Sequence, residues 1–298
     1  MTTLNSDPAY ALTPTGNLRR RMFFSRIFQS FAVTAAALAV GVLGLLIVVT
    51  IANGASGFSW GFITGDLPGS MSATGGGIGP ALIGTLETAL IAALISVPLG
   101  MFTALLVNEF AGRRLSTIVT ATLELLAGMP HIVIGLFIYG AVVETMGKTS
   151  CLAGSLALSV IMTPLIARST IESFQRVPGT WREASDALGI SRWRAITGLV
   201  LPAASSGIVT ASILATARAA GDAAPLLFTT GGFSTGTSLN PLKPIATLPI
   251  VIYQELILGT PTADKIAWGG ALVLMLIILF VNVGARIMLR RGERKRGL

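Results

Sequence analysis

The chain has 298 residues, of which 52% are hydrophobic and only 11% charged, with a mean hydropathy of +0.77. Soluble domains carry about 25% charged residues, so this composition excludes a soluble globular protein and points to an integral membrane one. A formal net charge of +8 fits nucleic-acid binding only where the basic residues form one solvated face, and their positions exclude that reading too.

Residues 1–29, with Pro8 and Pro14 ahead of Arg19, Arg20, Arg21 and Arg26, read as a polar cytoplasmic tail. Crossing the hydrocarbon as a helix takes about 20 mainly apolar residues. Such runs recur at about 31–52, 84–108, 116–143, 149–167, 203–230 and 266–287. The first is too long for a signal-peptide core and is read as a retained helix. Glu87 sits in the second run, and Glu124, Pro130 and His131 in the third; Arg168 bounds the fourth. Arg218 and Asp222 lie inside the fifth. The Gly-rich stretch from Gly54 to Gly79 and the stretch from Gly231 to Asp264 read as external loops, 168–202 as the longest cytoplasmic loop, and 290–298 as a cytoplasmic tail. The predicted fold is all-α: a polytopic transmembrane bundle over 30–289 with six helices and both termini on one side.

Charge supplies the orientation. With the N-terminus inside, the tails and cytoplasmic loops hold 17 of the 21 basic residues; Lys148, Lys243 and Lys265 fall outside, and Arg218 lies within a span. That satisfies the positive-inside rule and accounts for the basic excess. One cysteine, Cys151, allows no intrachain disulfide and argues against a metal cluster. No internal repeat stands out, which weakens an inverted-repeat transporter reading.

The loop 168–202 is punctuated like structure. Glu183 lies behind Pro178 and Gly179, Gly189 permits a left-handed C-cap, and Ser191 can cap a second helix. Two short amphipathic helices are predicted. On spacing alone they could lie on the membrane surface with Trp181 and Trp193 as anchors.

The run Glu183-Ala184-Ser185, three residues, Gly189, nine residues, Leu199, one residue, Leu201-Pro202 resembles the loop signature of ABC-importer permeases, with Ser185 in place of an alanine and Leu199 in place of an isoleucine. The resemblance implies the type I importer permease fold and a coupling helix that docks on a cytoplasmic ATPase subunit, with Arg182, Glu183, Ala184, Asp186 and Gly189 at the contact. The segment Arg218-Ala219-Ala220-Gly221-Asp222-Ala223-Ala224-Pro225-Leu226-Leu227-Phe228 narrows it. It is similar to phosphate-importer permeases of the PstA type, with Asp222 where a glutamate is usual. Gly128-Met129-Pro130-His131-Ile132 is similar too, with His131 where a serine is usual. The resemblance covers about 82–289 and implies a second, unlike permease subunit, two ATP-binding cassette subunits that use ATP and Mg, and an external phosphate-binding protein. It implies no cofactor on this chain.

As residues, Arg218 near the middle of a long fifth helix and Asp222 one turn on would share a face and neutralise each other. A cation at that depth is costly, at least ~2.5 kcal/mol, and is kept for a partner or a pathway. The pair could lock two helices together. Alternatively, the guanidinium, a planar fork of permanent donors, could meet oxyanion oxygens. Glu87 and Glu124 could pair with Arg218 or a partner subunit, or stay protonated and structural. His131 reads as a hydrogen-bonded packing residue more readily than as a proton carrier.

The only Gly-Lys-Thr, at Gly147-Lys148-Thr149, has Val142 where a P-loop needs glycine, so hydrolysis of ATP belongs to partners. The reading is a non-catalytic plasma (inner) membrane subunit importing phosphate by alternating access. Its alternatives are a permease for sulfate, molybdate or phosphonate, or a secondary transporter using Glu87, Glu124, His131 and Asp222 as a proton relay. An intramembrane enzyme lacks a Ser/His/Asp arrangement to work with.

Overall fold

The computed structural model describes residues 18–67, 76–231 and 238–295. The start of the N-terminal tail to residue 17, part of the Gly-rich loop (68–75), residues 232–237 of the next predicted loop and the last three residues lie outside the described residues. Two compact units are distinguished, Met1–Ile51 and Ala52–Leu298. Helix α1 (Leu18–Gly54), most of which belongs to the first, carries its large apolar side chains outward there, Phe31 at 74% and Val40 at 70% exposure. For a segment that must satisfy its backbone internally in lipid, a helix with outward apolar side chains is the favourable arrangement.

In the second unit, a short helix α2 (Trp60–Thr64) is capped by Ser59, whose hydroxyl accepts from the Phe62 N–H at 3.1 Å. Helix α3 (Gly79–Leu105) follows and ends in a π-helical turn, Leu106–Phe110. Then come α4 (Arg113–Gly128), α5 (His131–Ile138), a second π turn at Tyr139–Val143, and α6 (Glu144–Met146). Helix α7 (Cys151–Gln175) leads into α8 (Gly179–Ala187) and α9 (Arg192–Ala195). A third π turn at Ile196–Val200 carries the chain into α10 (Leu201–Ala220); α11 (Leu248–Leu258) and α12 (Pro261–Lys295) complete it.

At the centre, α3 lies against α7. The residues of α3 that meet it recur every four positions and are small: Thr88, Ala92, Ser96, Gly100 and Ala104, all buried. Residues four apart share a helix face, and small side chains let two backbones approach, which matters where lipid provides no hydrophobic drive between helices. Leu158, Met162 and Ile166 of α7 fill the seam, together with Ala215 and Ala219 of α10. At the start of α7 the N–H groups of Ser150, Cys151 and Leu152 donate to the carbonyls of Thr229, Lys243 and Pro241, respectively, at 2.8 to 2.9 Å.

Five helices among the described residues are long and apolar enough to cross a membrane, and α4 with α5–α6 makes a sixth only as a pair bent by 98°. The straight span predicted over 116–143 is therefore broken, because Pro130 has no N–H to continue the ladder and disfavours helical backbone at Met129. The fifth span also differs. Predicted to run to 230, α10 stops at Ala220, where Gly221 and then Pro225 end the helix. Finally, the second predicted external loop contains α11, an apolar helix that begins at Leu248-Pro249, Pro being well suited to a first helical turn.

Candidate functional site

A cleft of about 510 Å³ opens where α5, the end of α10 and α12 meet, lined by His131, Leu214, Arg218, Gly221, Asp222, Ile278 and Asn282. Arg218 stands in the last turn of α10, where the exposed carbonyl ends of the helix favour a cation. Its side chain is exposed, and it has no ion pair among the described residues.

Asp222 does not neutralise it. Because α10 has ended, Asp222 sits in a turn rather than one helical turn beyond Arg218 on the same face. One carboxylate oxygen accepts from the Ala224 N–H at 3.1 Å, an Asx turn, and the other is paired with Nδ1 of His131. His131 begins α5 immediately after the Pro130 break, so the bend in the span is what brings its ring to Asp222. The approach of α5 depends on Gly135, where a Cβ would lie 2.8 Å from the Cα and carbonyl oxygen of Pro225. The cleft thus combines an uncompensated guanidinium, an amide at Asn282 and a carboxylate already engaged by an imidazole. That set can hold an anion at Arg218 without the carboxylate competing for the same donors.

The other acids lie elsewhere. Glu124 pairs with Arg168 at 2.8 Å rather than with Arg218. Glu87 faces Cys151 at the start of α7, and one of its oxygens is buried without a hydrogen-bond partner among the described residues. Neither is paired with Arg218 among the described residues, so of the alternatives for these acids the pairing with Arg218 is the one this structure does not contain. Cys151 is buried with its thiol beside the hydroxyl of Thr88, 3.5 Å away.

At the far end of α7 the loop 168–202 forms one of the two short helices its punctuation predicts, α8; the second is no separate helix, because α9 runs through the π turn into α10 as one continuous helix from Arg192 to Ala220, and α7 itself extends to Gln175. Pro178 opens α8, and Gly189 adopts φ +66°, the left-handed backbone that closes it. Ser191 precedes α9 without a side-chain cap. Glu183, Ala184, Asp186 and Gly189 are exposed on α8 and its turn, beside Leu188 at 77% exposure. Ser185 is buried, its hydroxyl donating to the Trp181 carbonyl at 2.9 Å. Arg182 departs from its neighbours, turning inward to Glu109 at 2.8 Å.

Residues 96–295 match the family of binding-protein-dependent transport system inner membrane components. The chain is 37% identical over 231 residues to the probable phosphate transport system permease protein PstA of Methanocaldococcus jannaschii, covering 77% of this chain and 79% of that one. It is 36% identical over 288 residues to the phosphate transport system permease protein PstA 1 of Mycobacterium tuberculosis, covering 94% and 92%. The chain belongs to the binding-protein-dependent transport inner-membrane component family, as a PstA-type permease.

Its fold agrees with solved importer permeases. An inward-facing MetNI methionine ABC transporter chain superposes with a TM-score of 0.57 at 19% identity, over 71% of this chain and 92% of that one. A chain of a bacterial alginate ABC transporter superposes with a TM-score of 0.60 at 12% identity, over 92% and 96%. This PstA-type permease is a multi-pass membrane protein and a non-catalytic component of an ABC transporter. Of the residues singled out in the sequence, Arg218, Asp222 and His131 line this cleft, whereas Asn282, Glu109 and the pairing of His131 with Asp222 were not foreseen. Asn282 is a polar residue within the apolar run of α12, the one signal that could have found it.

Proposed function

We propose that this permease is one of two unlike membrane subunits of an ATP-driven importer that carries inorganic phosphate across the plasma (inner) membrane into the cytoplasm by alternating access. Both termini face the cytoplasm, as the distribution of Lys and Arg argues. Two ATP-binding cassette subunits, binding ATP and Mg themselves, dock on the exposed face of α8, and an extracytoplasmic phosphate-binding protein delivers the anion at the opposite side. The observation that carries the reading is the uncompensated Arg218 in a cleft with Asn282, in a chain whose relatives are named as phosphate permeases.

Chemically, the guanidinium offers fixed, permanent donors in a plane that matches two oxygens of a tetrahedral oxyanion. His131 occupies Asp222, so the carboxylate tempers the field of the cleft without closing the fork. One cation attracts a phosphate anion into a low-dielectric passage yet binds it loosely enough for release, which transit requires. Closure of the ATPase dimer would pull on α8 and turn the passage outward; its opening would turn the passage inward.

Uptake of labelled phosphate, with labelled sulfate in parallel, in phosphate-starved cells lacking this chain tests the reading. Complementation by wild type but not by Arg218→Gln at equal membrane abundance is the expected result. Restoration of sulfate rather than phosphate would overturn the substrate.

A further inference from the structure

The end of α3 grips the coupling loop with two adjacent residues. Glu109, in the π turn Leu106–Phe110, is 5% exposed, and a buried carboxylate is stable only when paired and fully hydrogen-bonded. One of its oxygens accepts from Nε of Arg182 at 3.2 Å, from Nη2 at 2.8 Å and from the Asn108 amide at 3.0 Å. The same guanidinium donates to the carbonyls of Val177 and Phe174 at 3.3 Å. Arg182 is therefore a rivet joining α8 to the ends of α3 and α7. Phe110, the next residue, holds the first turn of the helix that runs on into α10: the Arg192 guanidinium lies 5.4 Å over its ring and the Trp193 ring 5.5 Å away.

Adjacent residues on a helical turn point in directions about 100° apart, which lets Glu109 take α8 and Phe110 take α9. The far end of α3 is tied as well, since the Thr85 hydroxyl accepts from the Leu248 N–H at 2.8 Å, at the start of α11. Between these two ends the helix is stiffened by its small-residue seam with α7.

We propose that Glu109 and Phe110 are positioning residues that fasten α8 and the start of the α9–α10 helix to α3, so that α3 moves with the loop and carries the ATPase stroke across the membrane towards α11. This rests on the importer reading above. Neither residue lines the cleft that holds Arg218. A loop attached only through its own chain ends would swing without moving α3, whereas two side-chain joints on neighbouring helices fix both its position and its tilt.

The test uses the complete complex in lipid vesicles, with a spin label at Leu94→Cys, which is 74% exposed on α3; the natural Cys151 is buried. Addition of ATP is expected to change the label spectrum in an otherwise wild-type permease. In Glu109→Gln and in Phe110→Ala the change should fall about tenfold, the scale of coupling between contacting residues, while ATP hydrolysis continues. Phe110→Tyr should retain it. An undiminished change in both variants overturns the proposal. So does loss of hydrolysis together with the change in both, as a purely architectural role would produce. Absence of phosphate uptake by an otherwise wild-type complex whose label still responds to ATP would count against the substrate alone.

Discussion

His131 and Asp222 stand 91 residues apart in sequence and meet side chain to side chain at the rim of the cleft that holds Arg218. That contact sets the charge of the cleft, because Asp222 is satisfied by His131 and by the Ala224 N–H, which leaves the guanidinium facing open space.

Arg218→Lys separates charge from shape. The ammonium keeps the positive charge but loses the planar fork. Uptake is expected to survive with a half-saturating phosphate concentration raised about tenfold, one charged hydrogen bond being worth about 1.5 kcal/mol or more. Kinetics of labelled phosphate uptake check this, and a wild-type concentration dependence would show that the fork geometry is not used.

His131→Ser should free Asp222 to turn towards Arg218. The half-saturating phosphate concentration is expected to rise, and adding Asp222→Asn in the same chain should bring it back, since the amide oxygen can still accept from the Ala224 N–H. If the single variant transports like wild type, His131 does not shield Arg218. A rate profile against pH that is the same in His131→Ser as in wild type would dismiss a proton-carrying role.

Gly135→Ala tests the contact that places α5. Its Cβ would lie 2.8 Å from backbone atoms of Pro225, and backbone cannot yield as a flexible side chain can. A loss of about 1–3 kcal/mol is expected, visible as a lower melting temperature of the purified permease and accompanied by weaker uptake as His131 is displaced from Asp222. An unchanged melting temperature would mean that α5 can shift freely.

Gly189→Ala is a purely conformational test. The position has φ +66° and nothing within 4 Å of an added Cβ, so the cost is the left-handed backbone, about 1–2 kcal/mol. Reduced uptake per ATP hydrolysed is expected, with Gly189→Asn closer to wild type because Asn tolerates that backbone. Equal coupling in all three proteins would show that the turn after α8 is not strained by a side chain.

The reach of the sequence can be judged residue by residue. Pro178, Gly179 and Gly189 announced α8 and its closing turn correctly, since helix ends depend on local backbone preferences that those residues carry. Pro130 and Pro225 were equally visible, yet the apolar composition around them reads as continuous span, and hydropathy does not register a bend. Arg182 appeared beside Glu183 as part of the ATPase-facing surface; only packing shows that it faces Glu109 instead. The predicted neutralisation of Arg218 by Asp222 failed for a related reason, because it assumed a helix that continues past Gly221.

What the sequence carried by itself was a multi-span helical membrane protein, where its charges gather, and the short helix and left-handed turn at 179–189, because hydrophobic length, flanking Arg and Lys, and glycine and proline punctuation act within a few residues of where they are written. Which charges meet is a matter of packing between distant segments. Asp222 goes to His131, Glu124 to Arg168, and Glu109 to Arg182, and Arg218 is left for the cleft. Those pairings join residues 44 to 91 positions apart. They follow from the 98° break at Pro130, the end of α10 at Ala220 and the close seam of α3 on α7; proline and glycine open those breaks locally, but which distant segment each freed end meets is decided by packing between helices.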